Sequence, residues 1–131
     1  MLRTATKLEA KYEYDVNLPV AELYDMGDEK IAAMRCSPES VRNGEGPWSD
    51  RDRVILRIVD EQLVTYTNEP ETIMEALQIL TKEELVEVLI ILGTYALIAR
   101  VIRGLKIDDD RPIRPPGLME MLKKSVTETK K

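Results

Sequence analysis

Residues 82 to 103, "KEELVEVLIILGTYALIARVIR", constrain the fold more than any other stretch of this chain. Thr81 and Glu84 offer a capping box at its start, and Gly104 a stop at its end. Between them Leu85, Val86, Val88, Leu89, Ile90, Ile91, Leu92, Leu97, Ile98, Val101 and Ile102 fall on nearly every side of the helix. A helix that is apolar all round must be covered all round. A chain of 131 residues is most simply one domain, whose own core cannot easily cover every face of this helix, so a subunit interface is expected. Gly93, Ala96 and Ala99 add small side chains, and a mid-helix glycine costs about 1 kcal/mol against alanine. Close helix approach is the first explanation of that cost, and room for a ligand the second.

The rest of the chain reads as helical too. Phenylalanine is absent, and no alternating run is bounded by hairpin dipeptides. Residues 2 to 26 give one or two helical pieces, with Pro19 expected to kink the second or start a new turn. Gly27 suits the left-handed position after a helix, and Asp28 can cap "EKIAAMR". "SPESVRNGEGP" reads as a loop. Ser49 with Asp52 caps a helix whose stripe is Val54, Ile55, Ile58, Val59 and Leu63. Asn68 can cap the next helix, with Ile73, Ala76, Leu77 and Leu80 inside. After residue 108 comes an extended, proline-containing linker, then a short amphipathic helix and a charged tail. The expected fold is all-α with at least five helices, divided into a main domain (1–108) and a tail (109–131).

Composition removes whole classes of chemistry. There is no histidine, so neither a Ser-His-Asp nor a Cys-His nucleophile system fits within one chain, nor does a His-ligated metal site. Carboxylate-only metal loops have no recognisable spacing here, and no metal or cofactor is expected. Acid–base chemistry must use Glu, Asp, Tyr or Lys. One cysteine, Cys36, excludes a disulfide framework and a redox pair, and fits a reducing, cytoplasmic setting; the thiol reads as incidental. A net charge of −5 without a basic stripe argues against nucleic acid. The apolar run Val88 to Ala99 is shorter than the roughly 20 residues of a membrane span, and the first residues lack a signal-peptide core.

Polar residues crowd into "KYEYDVN". Glu9 and Glu13 share a helix face if no break separates them, as an acid–base pair or, with Lys7 and Lys11, as a solvated surface. Tyr12, Glu13 and Asn17 can point toward one cleft, although a core tyrosine is the default. Tyr95 is either a core tyrosine with a satisfied hydroxyl or a hydroxyl offered to a pocket near Gly93. Trp48 reads as a packing anchor.

Three segments in order, "LRTATKLEAKYEYDVNLPVAELYDMGDEKIAAM", "WSDRDRVILRIVDEQL" and "LTKEELVEVLIILGTYALIARVIRGLKID", resemble the carboxymuconolactone decarboxylase-like family, of the alkylhydroperoxidase D-like helical fold. The resemblance runs from Leu2 to Asp108. It implies a trimer or hexamer with pockets near subunit interfaces. The family's peroxidases carry Cys-x-x-Cys-x-x-x-His where this chain has Ala10, Glu13 and Asn17, so thiol peroxidase chemistry is excluded. Members without the cysteines show Tyr-Glu-Trp and then His; here Tyr12-Glu13-Tyr14 is followed by Asn17. A common Gly-His-Tyr is Gly93-Thr94-Tyr95. Relatives also have helical sequence before "LRTA", so a truncated reading or a naturally shortened member is implied, with apolar surface exposed unless a partner covers it.

The resemblance implies a cofactor-independent decarboxylase, lyase or isomerase acting on a small carboxylated or lactone substrate. Glu13 would be the acid–base group, with Tyr12 and Tyr95 steadying an enolate-like intermediate. Asn17 would orient the substrate carbonyl, Arg3 would pair with a carboxylate, and Tyr14 and Thr94 would complete the binding surface. The alternative is a catalytically degenerate oligomeric scaffold or ligand-binding protein.

Overall fold

In the computed structural model, residues 1–107 and 116–129 are described. They form eight helices and, among the described residues, no strand: α1 (Leu2–Lys7), α2 (Lys11–Leu23), α3 (Asp28–Ala33), α4 (Pro38–Arg42), α5 (Asp50–Thr65), α6 (Pro70–Ile79), α7 (Lys82–Gly104) and α8 (Leu118–Thr129). The boundary drawn at residue 108 and the linker after it lie outside the described residues, save Pro116 and Gly117.

Helix α5 is the centre, packing against α1, α4, α6 and α7. It separates two hydrophobic clusters. Leu56 joins Leu2, Ala21, Met34, Val41 and Trp48 on one side. Val54 and Ile58 meet Ala76 and Leu80 on the other, with Leu85, Val88 and Leu89 of α7 closing over them. The predicted α5 stripe therefore describes only one of its two buried faces. Trp48 is the anchor expected, and Gly46 makes room for it: at φ +99° a Cβ there would lie 2.7 Å from Trp48 Nε1.

Both capping boxes form. Ser49 Oγ accepts from the Asp52 amide at 3.1 Å while Asp52 accepts from the Ser49 amide at 3.0 Å. Thr81 and Glu84 repeat this at 3.1 and 2.8 Å. Three local expectations change, and at Pro19 one of the two outcomes drops out: α2 runs through it to Leu23, without a new start. The left-handed residue after it is Asp25, while Gly27 is extended and serves as the N-cap of α3. Residues 38 to 42 are helical because Ser37 caps them, with Pro38 at the first position, where no donor is needed. Asn68 caps nothing: it turns back to α5, donating to the Ile58 carbonyl at 3.1 Å and to Glu61 at 2.9 Å.

Helix α7 buries Leu92, Ala96, Ala99 and Ile102 and leaves a long opposite face in solvent. Ile90 is 63% exposed, Leu97 60% and Leu105 70%. Among the described residues it is the one helix long and apolar enough to cross a membrane on length and composition, although the apolar core counted from the sequence is shorter. The fold it joins is a packed helical one, with α7 lying against α1, α2, α5 and α6. The amphipathic helix expected near the carboxy terminus is α8, and it packs on α2.

Candidate functional site

The break that decides the first polar cluster is Glu9. Its backbone is left-handed, at φ 54°, and it ends the α1 segment before α2 begins. Glu9 and Glu13 are therefore not on one helical face. Glu9 is exposed and pairs with Arg103 at 3.0 Å, whereas Glu13 is buried at 2% exposure. A paired-carboxylate arrangement does not form between them.

Glu13 instead belongs to a set that spans α2 and α7. Asn17, one turn further along α2, donates from Nδ2 to the Glu13 carbonyl at 2.8 Å. Its Oδ1 accepts from the Tyr95 hydroxyl at 3.0 Å, across 78 residues of sequence. The amide is thus held at both ends, and it holds the phenol in one orientation. Burial raises the Tyr95 pKa above its ordinary value, and the Glu13 charge raises it further. The phenol is consequently a neutral donor across the physiological range. Glu13 also acts on the amino group of Met1, whose pKa burial lowers and Glu13 raises, burial being the larger effect.

The other sequence-predicted residues are placed differently. Tyr12 is half-buried on α2. Tyr14 packs against the cluster around Trp48 and lines a cleft of about 600 Å³ shared with Lys7, Lys11 and Arg35, which does not include Glu13. Thr94 is exposed, its hydroxyl donating to the Ile90 carbonyl of its own helix at 2.9 Å. Arg3 departs most from its expected role. It is 3% exposed, with Nε and Nη2 on the two oxygens of Asp60 at 2.8 and 2.6 Å. Its remaining nitrogen donates to the carbonyls of Met34 and Cys36 at 2.7 and 2.8 Å. Burial works against the charge, but the Asp60 hydrogen bond and field outweigh it, so the guanidinium is held charged more firmly than in water. Every edge of Arg3 is spent on tying α1 to α5 and to the chain after α3.

Sequence reasoning missed a second buried polar set. Glu61 is 8% exposed and accepts from Thr72 at 2.7 Å, Asn68 at 2.9 Å and the Glu69 amide at 3.1 Å. Arg57 donates to Thr72 at 2.8 Å and pairs with Glu75. Desolvation pushes the Glu61 pKa up, but these hydrogen bonds and the Arg57 charge bring it below the ordinary carboxylate value. The set joins α5 to α6. The stripe assigned to α5 left out Asp60 and Glu61, which are buried; a helix buried on two faces must take some of its charges inside.

Among the described residues, no group of three or more His, Cys, Asp or Glu is placed to hold a metal ion. The free thiol of Cys36 accepts a weak contact from Arg3 at 3.5 Å. Comparison of the chain with protein-family models, with curated proteins and with solved structures finds no match.

Proposed function

We propose that Glu13, Asn17 and Tyr95 form the reacting centre of a cofactor-independent lyase or isomerase of the carboxymuconolactone decarboxylase-like type, acting on a small carboxylated or lactone substrate. One observation carries the reading: Asn17, bonded to the backbone carbonyl of Glu13, also receives the Tyr95 hydroxyl from a distant segment, and the buried Glu13 carboxylate lies near enough to raise the Tyr95 pKa, in a chain without histidine. In a decarboxylation the carbon–carboxylate bond breaks and its electron pair moves onto a conjugated carbonyl. The neutral Tyr95 hydroxyl suits the resulting oxyanion as a donor, with Tyr12 beside Glu13 in sequence as a second hydroxyl. Protonated Glu13 delivers the proton to carbon and regains one from water. In an isomerisation Glu13 as carboxylate takes the proton and returns it elsewhere on the same substrate.

Asn17 has the controlling part. It occupies the Tyr95 hydroxyl in the free protein, so a substrate carbonyl must displace its Oδ1 to receive that hydrogen bond. Arg3 and Thr94 are left out of this scheme, the first because it is committed to Asp60, the second because it faces solvent. The proposal includes a cytoplasmic setting and a homo-oligomeric state, trimer or hexamer, with no nucleic-acid or membrane partner. The test is turnover of a muconolactone-type acid by purified protein, followed by loss of substrate absorbance and release of carbon dioxide. Glu13→Gln should lower kcat by about 100-fold or more, the range of a general acid–base group. Full activity in Glu13→Gln sinks the assignment of roles.

A second reading is a degenerate scaffold or ligand-binding protein, favoured by the burial of Glu13 at 2% exposure. Saturable binding of the same acid, without turnover, would select it.

A further inference from the structure

The exposed face of α7 carries a symmetry that nothing in the isolated chain explains. Counted outward from the midpoint between Gly93 and Thr94, Ile90 lies at the same distance as Leu97, Glu87 as Arg100, and Val86 as Val101. All of these are exposed. Apolar residue matches apolar, and acid matches base. Two α7 helices laid antiparallel about a two-fold axis at that midpoint would bring each position level with its match.

We infer that this face of α7 is the docking surface for the α7 of a second copy of the chain, running antiparallel, with Gly93 and Thr94 at the crossing. Charge supports the direction. The amino-terminal third of α7 carries Glu83, Glu84 and Glu87, and its last turns carry Arg100 and Arg103. Glu84 and Arg103 already have partners, Arg51 at 2.9 Å and Glu9 at 3.0 Å. Glu87 and Arg100 enter no ion pair with another described residue, and each lies about 10 Å from the midpoint at 1.5 Å rise per residue. A parallel pair would set the acidic ends together; the antiparallel pair sets opposite charges level and opposes the helix dipoles.

Area supports the occupant. Val86, Ile90, Leu97, Val101 and their neighbours Ile91, Ile98 and Leu105 are between 40% and 70% exposed, together on the order of 700 Å² of surface, close to the roughly 800 Å² that each partner buries in a standard interface. Gly93 gains its reason here. It is exposed, and a Cβ on it would meet nothing within 4 Å among the described residues, so no contact among them demands glycine. At a helix crossing a missing side chain lets two backbones approach. A bilayer is the less favoured cover, because Glu83 and Glu87 share the face and the chain is acidic overall.

This inference stands apart from the acid–base reading, and inactive protein leaves it intact. The test is sedimentation of the full chain in aqueous buffer, with cysteine cross-linking in a Cys36→Ser background. Wild type should sediment as an even-numbered assembly of such pairs, a dimer or the hexamer named above, and not as the trimer. Leu97→Glu, at a site already in solvent, should keep its helix content by circular dichroism and dissociate about 30-fold more readily or beyond. Under mild oxidation Thr94→Cys should link to itself, and Val86→Cys should link to Val101→Cys chains but not to its own kind. A monomer at micromolar concentration, an odd-numbered assembly, or a Val86→Cys self-link overturns the inference. So does a monomer that co-sediments with phosphatidylcholine vesicles, which would assign the face to a membrane.

Discussion

Replacing Arg3 by methionine isolates the contact that most altered the reading of this chain. Methionine keeps most of the volume and removes the charge. Asp60, whose side chain is 5% exposed, would be left without its bidentate partner, and the carbonyls of Met34 and Cys36 would lose their donors. Breaking a buried ion pair from one side costs about 3–5 kcal/mol. At about 4 °C per kcal/mol for a chain of this length, Tm should fall by roughly 12–20 °C. The double change Arg3→Met with Asp60→Leu removes the stranded charge as well, so it should be less harmful than Arg3→Met alone, with a coupling of about 2 kcal/mol. The two carbonyls remain unserved, so the double variant should not regain full stability. Urea titrations at one fixed protein concentration, with circular dichroism as the readout, measure all four corners of the cycle. A cost below about 1 kcal/mol for Arg3→Met is what an exposed pair gives. That result would mean that Arg3 is not locked to Asp60 and is free for the substrate role that the sequence suggested.

Four further outcomes follow from the structure. Ser49→Ala or Thr81→Ala should each cost about 1 kcal/mol by removing one half of a capping box, read as a shift in urea midpoint without a change in slope. Gly46→Ala should cost about 1–3 kcal/mol, since φ is +99° and the new carbon would press on Trp48, and Trp48 fluorescence should report the shift. Acid should unfold the chain through Glu61 and Asp52, whose pKa values both lie below the ordinary carboxylate range. At Asp52 desolvation pushes upward and is outweighed by Lys30 and the Ser49 cap. A depressed folded pKa stabilises above the unfolded value and is lost as pH falls through the folded one, so stability should be level at neutral pH and drop below about pH 4. Tyr95 works in the opposite sense: its raised pKa stabilises fully below about pH 10 and is lost as pH rises further, and Tyr95→Phe should flatten that alkaline limb.

Helical class, both capping boxes, the Trp48 anchor and the excess apolar surface of α7 were legible because each depends on local spacing. The polar sets were legible only in part. Asn17 lies one turn after Glu13 and so could be grouped with it, but its bond to Tyr95 joins residues 78 apart, and no local pattern specifies that. The Glu9–Glu13 pairing failed on one left-handed residue, a conformation that glutamate gives no sign of adopting. Arg3 and Asp60 are each ordinary helix-surface residues by pattern, 57 residues apart, and only the packing of α1 on α5 makes them a buried pair. Local chemistry is written in the sequence; which polar groups end up facing one another is a property of the packing.

The most direct measurement is the rate of decarboxylation of a muconolactone-type acid by wild-type protein, Glu13→Gln and Tyr95→Phe, on samples matched for helix content. The proposed centre predicts turnover by wild type above the buffer rate, loss of about 100-fold or more in Glu13→Gln, and a fall in kcat in Tyr95→Phe beyond any change in KM. Wild type that is folded and no faster than buffer, or a Glu13→Gln variant as fast as wild type, contradicts it.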